Sequence, residues 1–228
     1  RGVRHMSEQF IRIRENFSGK DIEVIYRKGS PGKTKEEIDS MRARGERAHL
    51  FKFCAPLNFR TYEAAEGIVC HQDVVMKLRD GTKIYSDIYL PKNLHEKVPV
   101  IISWSMFGKR PSEGMDEWKL MGVPPGAVSP MTKFESADPG YWCRMGYAVA
   151  NVDPRGVGNS EGYVNNFGIQ EGKDGYDYIE WIAKQDWCNG RVAMFGNSGV
   201  AMTIWWIAAE QPPHLACAGA WEATGDMY

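Results

Sequence analysis

The 228-residue sequence predicts an α/β protein with a mostly parallel sheet and helices on both faces. Three observations predict it. Residues 98–104 ("VPVIISW") and 147–153 ("YAVANVD") are short apolar runs, as expected of strands buried on both sides. Residues 171–185 and 199–211 have the length and apolar pattern of helices. Strands and helices alternate along the chain, and crossover connections of that kind build parallel sheets.

Residues 7–66 read as an irregular, charge-rich arm with one short helix at 34–49, where Thr34 and Glu37 form a capping box. The expected division is therefore an arm at 1–66, suited to self-association, and a larger domain at 67–228. Arg1–His5, ahead of Met6, read as a remnant outside the native chain. Residues 73–78 and 83–91 flank the turn "RDG" and form an antiparallel hairpin. After the strand at 98–104 comes a long loop, about 107–137, rich in Pro, Gly and Met. A short helix at 137–146 leads to the strand at 147–153 and the loop "PRGVGNSEG". The helix at 171–185 places Tyr178, Ile179, Trp181 and Ile182 on one side, and Lys173, Asp177, Glu180 and Lys184 largely on the other. A strand at 191–196 runs straight into a helix at 199–211 that is apolar nearly all round and so reads as buried. The sixth strand is 215–221.

Net charge is −1, with 14 basic against 10 acidic residues in 1–66 and 14 against 19 in the remainder. No Lys/Arg cluster forms a phosphate-binding stripe, so neither nucleic acid nor a membrane surface is an expected partner. Cys54, Cys70, Cys143, Cys188 and Cys217 are scattered and include no Cys-x-x-Cys pair. That pattern disfavours a zinc site or a disulfide framework and suits a reducing, cytoplasmic location. No metal and no cofactor is expected. Gly156, Gly158 and Gly162 follow a strand, but their spacing is not that of a dinucleotide loop, and Glu161 takes the third glycine's place. They read as a structural turn tied down by Asp153 and Arg155.

The chemistry concentrates in "VAMFGNSGVAM", residues 192–202. Ser198 lies between a strand and a helix with almost no loop. A turn so sharp lifts the serine Oγ above the sheet edge and needs small neighbours, here Gly196 and Gly199. The helix that follows aims unpaired backbone N–H groups at the space beside Oγ, where an oxyanion would develop. The pattern is a nucleophile elbow with Val200 in place of the final glycine. The alternative is an ordinary strand–helix turn in which Ser198 only caps the helix.

Asp153, Arg155, Gly156, Gly158, Ser160 and Gly162, then Glu171, Asp174, Gly175, Tyr176, Trp181 and the elbow, stand in a specific order and spacing. With them, residues 70–228 resemble the cocaine esterase-like and Xaa-Pro dipeptidyl-peptidase-like family of α/β-hydrolases. The resemblance implies an α/β-hydrolase fold, truncated here after the sixth strand, and an acyl-enzyme on Ser198. Its substrate would be a small-molecule ester or amide. It also implies two oxyanion donors. One is the Gly199 N–H. The other is a tyrosine hydroxyl whose place Phe107 occupies, so that either a backbone N–H near Phe107 or Gly108 substitutes or that half is non-functional. Trp104, Phe107, Trp118 and Trp221 are candidate pocket residues, with Met121 and Met131 in the same long loop.

A serine nucleophile needs a base and an acid. His214 precedes the last strand, at the opposite end of the sheet from Ser198, and His49, His71 and His95 precede the core strands. Glu222 and Asp226 follow the last strand and are candidates for the acid, or else are solvated loop carboxylates. The resemblance instead implies an Asp and a His beyond Tyr228. The expected partner is then the remainder of the hydrolase or a second copy of the chain. The competing reading is a truncated or inactive hydrolase fold serving as a binding or assembly module.

Overall fold

The computed structural model describes residues 10–17, 20–27, 56–110, 122–124 and 126–225, the first two segments as backbone. The chain divides into two compact units, residues 1–48 and 49–228. In the first, β1 (Phe10–Phe17) and β2 (Lys20–Arg27) pair antiparallel, with Phe10 opposite Arg27 and Phe17 opposite Lys20. The reading of this region as irregular is thus corrected. Its signal was the alternation of Ile11 and Ile13 with Arg12 and Arg14, and of Ile22 and Val24 with Asp21 and Glu23. The helix expected at 34–49 lies outside the described residues.

The second unit carries a seven-stranded sheet. Its strands are β3 (Arg60–Ala65), β4 (Ile68–Lys77), β5 (Lys83–Pro91), β6 (Val98–Trp104), β7 (Ala148–Asp153), β8 (Cys188–Asn197) and β9 (Leu215–Trp221). Their spatial order is β3-β4-β5-β7-β6-β8-β9. β3, β4, β5 and β7 pair antiparallel in succession, whereas β7, β6, β8 and β9 are mutually parallel, so five of the seven strands point one way. Strand β3 falls in the segment expected to be arm, and its pairing with β4 starts the sheet before residue 67. Strand β4 begins five residues earlier than the expected 73, because a bulge between His71 and Val74 hides its period from the sequence.

Period-two alternation sorts the core onto the two faces of the sheet. Val100, Ile102 and Trp104, Ala148, Ala150 and Val152, and Val192 and Met194 belong to one apolar cluster. Ile101 and Val149, with Ala193 and Phe195 packed alongside, belong to the other. The first face is covered by α2 (Ile169–Ile182) and α3 (Ser198–Ala209), through Tyr178, Ile179, Ile182, Ile204 and Ile207. The second is covered by α1 (Pro139–Trp142) and the 3₁₀ turn Cys143–Met145 after it. Asp138 caps α1 by accepting the Gly140 N–H at 2.7 Å. Helix α3 is not buried all round, as its composition suggested. Trp205 and Trp206 face solvent, because only one side of the helix meets the sheet.

Helices α2 and α3 approach closely at glycines. A Cβ on Gly172 would stand 2.6 Å from the Trp206 carbonyl oxygen, and one on Gly175 would stand 2.4 Å from Ile207. The Gly172 neighbour is backbone and cannot rotate away. Gly172→Ala is therefore expected to cost about 1–3 kcal/mol of stability, read as a lower urea midpoint at unchanged slope. At the sheet edge β9 pairs only with β8 among the described residues, and Ala216, Cys217 and Ala218 are exposed.

Candidate active site

Strand β8 ends at Asn197 and α3 starts at the next residue. The change of direction falls on Ser198, whose φ is 48°. A non-glycine residue in the left-handed region costs about 1–3 kcal/mol and survives only where its surroundings enforce it. Gly196 shows the crowding: a Cβ there would lie 2.6 Å from Val200 Cγ1 and 2.9 Å from the Ala201 nitrogen. Gly199 is less confined: its Cβ would lie 3.3 Å from Met106 Cε, the end of a flexible side chain. The sharp turn sets the first N–H groups of α3 beside the Ser198 side chain, at the carboxyl edge of the parallel strands.

A residue with no sequence signal joins them. Glu135, at φ 59°, accepts the Asn197 N–H on its carbonyl at 3.1 Å. Its carboxylate accepts the Val200 N–H at 3.4 Å, and lies near enough to the Ser198 hydroxyl and the Gly199 N–H for both to favour its charged form. Burial raises the pKa of Glu135 above the usual carboxylate value, while these donors oppose the shift and nearby Glu222 adds to it. Glu222 itself follows β9 at φ 52° and accepts the Asn197 side-chain amide at 3.0 Å. The structure thus brings Ser198, Gly199, Glu135 and Glu222 together.

The other candidates fall elsewhere. The Phe107 N–H donates to Ser105 Oγ at 3.1 Å and the Gly108 N–H to the Ser105 carbonyl at 3.1 Å, so both are engaged within their own turn. The Phe107 ring packs edge-on against Phe134 at 5.3 Å. Trp104 is a core residue and not a pocket wall: it is 1% exposed and donates its indole N–H to Glu171 Oε1 at 3.1 Å. Trp221 is half exposed and tilts against Phe195 at 4.4 Å. Met131 packs against the second apolar cluster. Trp118, Met121 and Asp226 lie outside the described residues. His214 pairs with Glu180 at 2.8 Å beside the start of β8, the far end from Ser198. His71 sits on β4 with Thr61 at 2.8 Å, and His95 precedes β6.

Behind the elbow the loop after β6 is pinned by charge. The Lys109 N–H and Nζ reach Asp153 at 2.6 and 2.5 Å, and Nζ lies 3.2 Å from Asp73. Arg110 bridges Asp73 and Asp87, each at 2.6 Å. Burial raises the Asp153 pKa against the pull of Lys109. The Lys133 ammonium donates to the Gly108 carbonyl, and burial lowers its pKa to about 7. Arg155 grips Asp174 through two bonds at 2.7 and 2.8 Å and also reaches Asp80 at 2.8 Å. These pairs tie down the glycine-rich turn. Gly158 abuts the Asp153 carboxylate, where a Cβ would stand 2.3 Å from Oδ2.

Comparison with known proteins agrees with this architecture. A serine-esterase-named protein of Mycobacterium bovis is 32% identical over 154 residues, which are 66% of this chain and 24% of that protein. Cocaine esterase from a Rhodococcus species is 29% identical over 159 residues, 68% of this chain and 24% of that enzyme. The crystal structure of a CocE/NonD family hydrolase from Staphylococcus aureus superposes with a TM-score of 0.64 at 36% identity, covering 71% of this chain and 28% of that one. The fold is that of the α/β-hydrolases, and the chain spans about a quarter of the length of the curated relatives it matches. Residues 80–228, which hold the sheet from β5 onward and the Ser198 turn, match the X-Pro dipeptidyl-peptidase (S15 family) profile, and the chain belongs to that family.

Proposed function

We propose that the protein is a serine hydrolase that cleaves an ester or amide acyl bond of a small molecule through an acyl-enzyme on Ser198. The observation that carries this reading is the left-handed serine at a junction of strand and helix with no loop between them. A helix cap needs no such strain, whereas a nucleophile gains a place for Oγ beside N–H groups that have no partner within the helix. Relatives named for ester cleavage support the same chemistry.

In this reading Ser198 Oγ attacks the acyl carbon and its proton passes to a base. The carbonyl electrons move onto oxygen, and the oxyanion is stabilised by the Gly199 and Val200 N–H groups and the α3 dipole. Collapse expels the alcohol or amine, which takes the proton. Water then attacks the acyl-enzyme in the same way, releasing the acid and restoring the hydroxyl. Among the described residues no histidine faces Ser198. We therefore propose that the base and its orienting acid come from the remainder of the hydrolase beyond Tyr228.

The test is a p-nitrophenyl ester, whose leaving group departs without protonation. The expected result is a burst of p-nitrophenolate approaching one equivalent per chain, abolished in Ser198→Ala. Loss of the base slows that burst by about 10²–10⁴ relative to a complete hydrolase. A folded wild-type chain with no acyl adduct by intact mass favours the assembly-module reading instead.

A further inference from the structure

We infer that Glu135 is an internal latch on the Ser198 elbow: its carboxylate occupies the place where a substrate's acyl oxygen must sit. The inference rests on Ser198 being the nucleophile. An oxyanion hole is defined by its donors, and here those are the first N–H groups of α3. The Glu135 carboxylate already accepts from the Val200 N–H at 3.4 Å, and its Oε2 stands 3.7 Å from where a Cβ on Gly199 would sit. It also lies near enough to the Ser198 hydroxyl, the group that must attack, for that hydroxyl to favour its charged form. One side chain thus binds the α3 N-terminus and stands beside the serine.

The backbone holds the latch in register. The Glu135 carbonyl accepts the Asn197 N–H at 3.1 Å, directly before the serine. Two residues on, the Ala137 N–H donates to Ser103 Oγ at 3.1 Å, near the end of β6. Two residues before, Lys133 donates to the Gly108 carbonyl. The segment therefore bridges the ends of β6 and β8, and the left-handed backbone at Glu135 aims the side chain back at the elbow. With the backbone fixed at these points, opening requires only rotation of the side chain. A substrate must then displace a carboxylate from the α3 N-terminus before it can be polarised there.

The experiment measures the rate of Ser198 phosphonylation by a small alkyl fluorophosphonate in the full chain, with Glu135→Ala, Glu135→Gln and Ser198→Ala beside it. One oxyanion donor is typically worth about 10²–10³ in rate, so freeing the α3 N-terminus is expected to speed labelling of Glu135→Ala by roughly tenfold or more. Glu135→Gln keeps an acceptor but loses the charge, and is expected to fall between wild type and Glu135→Ala. Amide exchange across α2 verifies that each variant is folded. A residue that merely props the loop would slow labelling when removed. Labelling of Glu135→Ala at or below the wild-type rate overturns the latch and leaves the nucleophile standing. Absence of labelling in both folded proteins overturns the nucleophile and the latch together.

Discussion

Asp153→Ala is expected to lower stability by about 3–5 kcal/mol, because it strands a buried ammonium. Lys109 is 2% exposed, and its Nζ stands 2.5 Å from Asp153 Oδ2. Without Asp153 its remaining close carboxylate is Asp73 at 3.2 Å, which Arg110 also engages. The Asp153 carboxylate also accepts the N–H groups of Lys109 and Asn159, so without it the loop after β6 loses its attachment to β7. Replacing both charges, in Asp153→Leu with Lys109→Met, is expected to cost much less than the sum of the two single changes, because neither member of the pair is then left buried without the other. Urea denaturation of the four proteins gives the coupling energy. Additive losses would show that the ion pair does not organise this loop.

The second large effect is in pH. Glu171, at the start of α2, is buried against the Trp104 indole, and burial raises its pKa from 4.5 to about 7. The folded chain therefore binds this proton more tightly than the unfolded chain. The contribution of Glu171 is fully favourable below about pH 4.5 and is lost as pH rises through about 7. At 1.36 kcal/mol per pKa unit, the loss above pH 7 is on the order of 3 kcal/mol. Lys133 acts oppositely: burial lowers its pKa from 10.5 to about 7, so its contribution improves as pH rises through that interval. The difference between wild type and Glu171→Gln removes the Lys133 effect. Glu171→Gln is expected to match wild type near pH 4.5 and to exceed it by about 3 kcal/mol at pH 8 in urea denaturation. Equal stability at both pH values would mean that Glu171 is ionised without penalty.

The parts of this molecule that the sequence made legible are those governed by periodicity. Strands at 98–104 and 147–153, the helix at 171–185 and the junction at Ser198 follow from apolar patterns within a few residues of one another. The pattern failed where geometry breaks its own period. The bulge between His71 and Val74 shifts the register of β4 and masks its first half. Strands β1 and β2 alternate polar with apolar residues, but Arg, Glu and Asp on their polar positions resemble a charged arm. Trp104 shows a different limit. Its aromatic ring next to a predicted site suggested a pocket wall, but strand register turns it into the core with Tyr178.

Within the site, Ser198, Gly196 and Gly199 could be read because a sharp turn demands particular residue types. Glu135 could not. It reaches the elbow from a loop 63 residues earlier, through a left-handed backbone that glutamate rarely adopts. Nothing in "TKFESADPG" marks that conformation. Glu222 could be placed at the correct end of the sheet from topology alone, but its contact with Asn197 depends on another left-handed residue.

Everything proposed for the site depends on the strained serine of the β8–α3 junction being a nucleophile. Tandem mass spectrometry of the chain after fluorophosphonate treatment tests it most directly. A single phosphonyl adduct is expected, mapped to Ser198 and lost in Ser198→Ala. An adduct on another serine, or none on a folded chain including Glu135→Ala, would contradict it.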